Sequence, residues 1–186
     1  MSEMDERKSK MIYYASKYGT SEQIAHWLSE NLALDVQNLE EADSMNRDEL
    51  PVLVLPMYAS ALYKSRKALS LLQNAGLNRA IVVTVGLSDP KRPDTKAALQ
   101  AAVLRCFPNI ETEIYSVRGG MDYVKLSKKD SMMMWMLKKV IEKYPEEGEN
   151  AELLATYGQK IDLMSEKEVT QAAAEIRQLL QASHRN

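Results

Sequence analysis

Ser16, Gly19, Thr20 and Ser21 fall within six positions, where an apolar run gives way to a helical pattern. Hydroxyls and a glycine at such a junction suit binding of an anion. A helix that follows a strand presents unpaired backbone N–H groups and the positive end of its dipole. Gly19 can take a backbone conformation that other residues resist, so that successive amides turn inward as a nest. Ser16, Thr20 and Ser21 add hydroxyl donors without charge, and a terminal phosphate monoester would suit the set. The spacing is neither of the two common nucleotide loops, which need Gly-Lys-Ser/Thr or three spaced glycines. An ordinary capped turn between strand and helix reads from the same residues.

The flanking elements are those needed to hold such a turn. Met11 to Ala15 reads as a buried strand, and Ile24, Trp27, Leu28 and Leu32 recur at helical spacing. Ser21 is expected to cap that helix, with Glu22 in its first turn. Leu34 to Leu39 alternates, as an edge strand does. Pro51 to Met57 and Arg79 to Gly86 are continuously apolar, the pattern of central parallel strands covered on both faces. Tyr58 to Ser65 reads as a loop, and Gly76 as the stop of the helix after it. A helix from Asp94 or Thr95 to Phe107 and a strand from Glu111 to Arg118 follow, ended by Gly119-Gly120. Gly119 to Leu126 reads as a loop. Five strands alternating with helices predict a doubly wound α/β fold with a five-stranded parallel sheet and helices on both faces.

Ligands of such sheets bind beyond the carboxyl ends of the strands, where strand order reverses. Three loops would converge there: Ser16 to Ser21, Met57 to Ala61, and Gly86 to Pro90. The first suits a phosphate. The other two offer Tyr58, Leu87 and Ser88, apolar and hydroxyl groups that could hold a flat ring. A mononucleotide whose ring does chemistry fits both halves, which raises flavin mononucleotide (FMN) above other ligands.

Length and composition bound the rest. At 186 residues the chain suits one domain with a sizeable core. The expected division is a tail over residues 1–9 and a single domain over 10–186, with 127–186 as a helical extension. A net charge of −2 gives no basic surface for nucleic acid. A single cysteine, Cys106, fits a reducing, cytoplasmic setting. The two histidines, His26 and His184, stand apart from other ligand types, so no metal site is expected. Ser127 begins a helix to about Tyr144, with Met133, Met134, Leu137, Val140, Ile141 and Tyr144 as an expected core stripe. Met132 and Trp135 fall on the opposite side among Lys128, Lys139 and Lys143, where a partner or an anionic membrane surface could dock. The favoured expectation is that residues 145–164 fold back over them. Ser165 and Glu168 form a capping box for a last helix to about Ala182.

Ser16-Lys-Tyr-Gly-Thr-Ser-Glu22 resembles the phosphate loop of flavodoxins. Pro56-Met-Tyr-Ala-Ser60 is similar to the ring-side loop of bacterial flavodoxin-domain proteins. Thr84 to Pro90, Arg118 to Tyr123, Lys125 to Ser127 and the Met132-Met-Met134 helix match the same group in order. The group is related to the quinone-dependent protoporphyrinogen dehydrogenases. The resemblance implies phosphate binding by Ser16, Thr20 and Ser21 with the backbone of Lys17, Tyr18 and Gly19. Tyr58 would stack on the ring, with Met57 beside it. Ala59 and Ser60 would meet the flavin edge through their backbone, and Gly86, Leu87 and Ser88 would line the other side. Asp122 and Tyr123 attach weakly to the site. The group usually has Gly-Ser where this chain has Val54-Leu55, and Gly where it has Ser60.

The expected function is FMN-dependent electron transfer or flavin oxidoreduction, with a redox partner protein or a small molecule such as a quinone as acceptor. No protein nucleophile or acid/base pair is required. Two alternatives stand beside it: a protoporphyrinogen dehydrogenase-like enzyme with a quinone acceptor, and a flavin-free docking module. A response-regulator receiver shares the strand order but needs carboxylates where this chain has Ser16 and Met57.

Overall fold

The computed structural model describes residues 11–58, 61–147 and 149–182. The tail expected over residues 1–9 lies outside them, as do Ala59 and Ser60. The chain runs β1 (Met11–Tyr14), α1 (Thr20–Leu32), β2 (Asp35–Asn38), β3 (Val52–Tyr58), β4 (Ala61–Leu62), α2 (Ser65–Ala75), β5 (Arg79–Gly86), α3 (Pro93–Cys106) and β6 (Glu111–Arg118). It continues with β7 (Gly120–Asp122), a 3-10 turn (Tyr123–Lys125), α4 (Lys128–Ile141), α5 (Asn150–Ala155), β8 (Lys160–Asp162) and α6 (Glu166–Ala182).

The main sheet has the order β2-β1-β3-β5-β6, parallel throughout, with β4 antiparallel against the end of β3. The order reverses between β1 and β3, so the crevice beyond their carboxyl ends is the expected place for a ligand. The apolar runs explain the strands. In β3, Val52 and Val54 enter a core shared with Ile24 and Leu28 of α1 and with Val169 and Ile176 of α6. Leu53 and Leu55 enter the opposite core with Leu72 of α2 and Val103 of α3. Alternate side chains thus fill both faces, which is why the run has no polar member. Gly76 caps α2 in the left-handed region, at φ 71, as its sequence position predicts.

Four expectations are corrected. Tyr58 to Ser65 is not all loop, since Tyr58 pairs with Ala61 and Met57 with Leu62. Gly119 to Leu126 is not a plain loop either, because β7 pairs antiparallel with β8. A Cβ at Gly120 would lie 2.8 Å from the Ile161 carbonyl oxygen, so glycine permits that pairing. Ser21 does not cap α1; it lies buried inside the helix, whose cap position is Gly19. The stripe on α4 is core only in part: Ile141 is buried, but Val140 and Tyr144 are exposed. The Ser165 hydroxyl accepts the Glu168 amide at 3.3 Å, as a capping serine does, while the Glu168 carboxylate turns outward to Lys91.

Candidate functional site

The site begins at the end of β1. Ala15 is buried and its N–H donates to the Val54 carbonyl at 3.1 Å, which carries the sheet one residue beyond β1. The chain then turns through Ser16 to Gly19. The Ser16 hydroxyl accepts the Gly19 N–H at 3.0 Å, which closes the turn. Gly19 has φ 89, a left-handed conformation, and a Cβ there would meet nothing within 4 Å. Glycine is required here by backbone conformation and not by crowding. Among the described residues no side chain caps the amides of the first turn of α1. That helix start therefore keeps its affinity for negative charge.

A cavity of about 570 Å³ opens at this point. Ser16, Tyr18, Thr20 and Ser21 line it from the first loop, Met57 and Tyr58 from β3, and Gly86, Leu87 and Ser88 from the end of β5. The three segments expected to converge do converge. Lys17 and Gly19 are not among the lining residues. Lys17 instead forms an ion pair with Asp130 of α4, and the Tyr18 hydroxyl donates to the same carboxylate. The Ser127 N–H donates to the Tyr18 hydroxyl at 3.1 Å, and the Asp130 N–H to the Ser127 hydroxyl at 3.2 Å. Lys17 and Tyr18 thus clamp the start of α4 to the loop. The hydrogen bonds from Lys17 and then Tyr18 hold the Asp130 carboxyl below the usual carboxylate range, and the same contact raises the Lys17 ammonium.

Tyr58 stands between two rings. Tyr18 meets it edge-on at 6.5 Å and Tyr63 at 5.7 Å, with the Lys17 ammonium 5.9 Å from its centroid. Burial first, then the negative charge of neighbouring groups, pushes the Tyr58 hydroxyl up to about 12, so it stays protonated at neutral pH. The Thr20 hydroxyl donates to the Gly120 carbonyl at 3.1 Å, which ties α1 to β7. A Cβ on Gly119 would lie 2.7 Å from Val85 Cγ1 and 3.1 Å from Thr20 Cγ2. Its absence lets the end of β6 close on β5 and on the helix start.

The sequence missed the other half of the cavity. Leu99 and Ala102 of α3 line it, as do Leu126, Met133, Met134 and Leu137 at α4 and Leu153 of α5. Met133, Met134 and Leu137 had a visible apolar signal, but periodicity does not tell a core face from a cavity wall. Asp130 had none, since its partner Lys17 is 113 positions away. Thr84 and Ser116 form a hydroxyl pair at 2.7 Å in the floor. Arg118 Nε donates to the Leu87 carbonyl at 2.9 Å and its other arm pairs with Glu152, so α5 steadies the third loop.

Asp122 and Tyr123 do not reach the cavity. The Asp122 carboxylate accepts the Val124 N–H, and Tyr123 packs on Tyr157 at 5.0 Å. Val54 and Leu55 are fully buried in the two cores, so that departure from the flavodoxin-domain pattern changes packing and leaves the lining untouched. Among the described residues no cluster of three or more His, Cys, Asp or Glu could hold a metal, and no helix is long and apolar enough to cross a membrane.

No curated protein matches the chain. Among solved structures, it is similar to an NAD(P)H:quinone oxidoreductase from Methanothermobacter marburgensis, with a TM-score of 0.39 and 12% identity over 57% of this chain and 82% of that one. It is also similar to a flavodoxin from the domain Archaea, with a TM-score of 0.42 and 9% identity over 92% of this chain and 98% of that one. The family model for the flavodoxin domain matches residues 11–147, which take in the parallel sheet, all three loops and α4. The chain belongs to the flavodoxin domain family.

Proposed function

We propose that the protein binds FMN in this cavity and acts in electron transfer or as a flavin oxidoreductase. The observation that carries the reading is the meeting of an uncapped helix start with three strand-end loops around one cavity at the β1/β3 reversal. The residues present fit the group. The amides at the start of α1 and the hydroxyls of Ser16 and Ser21 suit the phosphate, and the Thr20 hydroxyl would join them by releasing the Gly120 carbonyl. Tyr58 and Met57 supply a ring-side wall, and Gly86, Leu87 and Ser88 the facing one. Ala59 and Ser60, outside the described residues, would offer backbone groups to the ring edge.

When bound, the flavin supplies one- and two-electron chemistry, and the protein supplies binding, orientation and electrostatics. Lys17, neutralised by Asp130, holds α4 across the loop. The Tyr58 hydroxyl keeps its proton and so presents no added negative charge to the ring. The apolar walls from α3 and α4 exclude water from the ring's surroundings. These walls favour a second reactant that is flat and apolar, such as a quinone acceptor, over a charged one. A redox partner protein remains the alternative acceptor. The reading takes residues 10–186 as one domain, with 127–186 as its extension.

The test is reconstitution with FMN, desalting and an absorbance spectrum. Flavin bands retained in a stoichiometric ratio and shifted from those of free FMN are expected. A flavin-free spectrum after incubation in excess would overturn the assignment and leave the docking-module reading.

A further inference from the structure

Helix α4 has two apolar faces, and the cavity uses only one. Met133, Met134 and Leu137 turn toward the cavity and Ile141 toward the interior. At about 100° per residue, Met132, Trp135, Met136 and Val140 fall on the outward side. They are 60%, 53%, 45% and 58% exposed. Lys128, Lys129, Lys139 and Lys143 are exposed on the same side. The segment expected to cover this face does not do so. It returns along the other flank, where Tyr157 lies 4.6 Å from the Lys138 ammonium. The turn before α4 adds Val124, 91% exposed, and Lys125. Glu142, one residue past α4, is paired with Lys138 and Lys139, and Glu146 and Glu147 are exposed in the turn that follows.

We propose that this face docks on an anionic membrane surface. The argument rests on how the two residue classes are mixed. Around the helix axis Lys128, Lys139, Lys143 and Lys129 interleave with Trp135, Met132, Met136 and Val140, and along it lysines stand at both ends of the arc, so no side of the face is free of ammonium groups. A protein groove that buried the tryptophan and methionines would have to bury the ammonium groups as well, at a large desolvation cost. A lipid interface has no such conflict. Apolar side chains enter the headgroup boundary while lysine stems lie along it and carry their charges to the phosphates. Chain charge does not explain the attraction, since the net value is −2; the basic face is a local asymmetry. The inference stands whether or not the cavity holds flavin. With flavin bound, α4 would separate the lipid surface from the cavity, placing an apolar reactant of the bilayer one helix away.

The test uses the full chain and vesicles of phosphatidylcholine, with or without phosphatidylglycerol. Flotation with the anionic vesicles only is expected, reversed by salt, with a blue shift of Trp135 emission over the constant background of the packed Trp27. The triple variant K128E/K129E/K143E should lower partitioning about tenfold or more. M132S/W135S should remove the emission shift. Neither set touches the cavity, so both variants should keep the wild-type circular dichroism and the wild-type flavin content. Three results would overturn the proposal: no binding to anionic vesicles at low salt, equal binding to neutral ones, or undiminished binding by the folded charge-reversed variant. Concentration-dependent self-association lost in M132S/W135S, without vesicle binding, would also overturn it and assign the face to a second copy.

Discussion

Gly119→Ala and Gly86→Ala make the same chemical change on adjacent backbone at the rim of the cavity, Gly86 at the end of β5 and Gly119 just past β6, and they should have opposite effects. The Gly119 N–H donates to the Gly86 carbonyl at 2.7 Å, so the two residues touch. Neither has a positive φ, which removes backbone strain from the comparison. A Cβ on Gly86 would meet only Met57 Cβ at 3.7 Å, an ordinary contact. Alanine there should be neutral or stabilise by about 0.4–1 kcal/mol, because it restricts the unfolded chain. A Cβ on Gly119 would lie 2.7 Å from Val85 Cγ1 and 3.1 Å from Thr20 Cγ2. Valine is stiff at χ1, and Val85 is held by pairing with Pro56 on one side and Val117 on the other. The clash cannot be relieved by a side-chain rotation and must move backbone, at about 1–3 kcal/mol. Displacement of Thr20 would also weaken its bond to the Gly120 carbonyl, by about 0.5–1.5 kcal/mol. The unfolded-chain effect is common to both, so the two variants should differ by about 1.5–4.5 kcal/mol, or about 1–2 M in urea midpoint at ordinary slopes. Gly119→Ala should also weaken FMN binding, because it displaces the helix start. Equal stabilities of the two variants, or a costlier Gly86→Ala, would refute the reasoning about close approach.

Three further outcomes are expected. Tyr58→Ala should weaken FMN binding by about 0.5–1.5 kcal/mol, about 2- to 12-fold in Kd by titration, on the scale of aromatic pairs; an unchanged Kd would remove Tyr58 from the ring. Asp130→Asn should loosen the start of α4, read as faster amide exchange over residues 128–134. Because the folded Asp130 carboxyl lies below its unfolded value, its contribution is present above about pH 4 and is lost as pH falls through the folded value. Wild type should therefore show the same loosening in acid, and the variant should show no further acid response there. Glu49 is buried and accepts the Tyr13 hydroxyl at 2.9 Å and the Asn46 N–H at 3.2 Å. Burial raises its carboxyl above the usual range. The sign is opposite to that of Asp130: the folded state holds the Glu49 proton more tightly, so this group's contribution is full below about pH 4 and declines as pH rises through the folded value. Glu49→Gln keeps an acceptor without the charge, and should flatten that decline in denaturation midpoints measured between pH 4 and 7.

The parallel strands were legible because covering both faces of a sheet leaves an unbroken apolar run, as in Val52 to Leu55 and Ile81 to Val83. The turn at the end of β1 was legible because a left-handed glycine and flanking hydroxyls are local features. Ser16, Gly19 and Thr20 stand where that reading put them. Gly76 was legible for the same reason.

What the sequence left open is long-range. Nothing near Lys17 announces that its ammonium turns from the loop to Asp130, or that Tyr18 follows it. Gly119 reads as a strand end, and only the approach of Val85 and Thr20 gives it a steric role. Periodicity put Met133, Met134 and Leu137 on one face of α4, but could not distinguish a wall of a cavity from a wall of the core, since both exclude water. It also could not decide whether residues 145–164 would cover Met132 and Trp135. The pairing of β7 with β8 and the contact of Tyr157 with Lys138 take that segment to the other flank. By itself the sequence determined the sheet, its order of elements and the turn at the end of β1, because these depend on neighbours in the chain. Only the tertiary structure decided the apolar half of the cavity and the bare face of α4, because these depend on which distant surfaces meet.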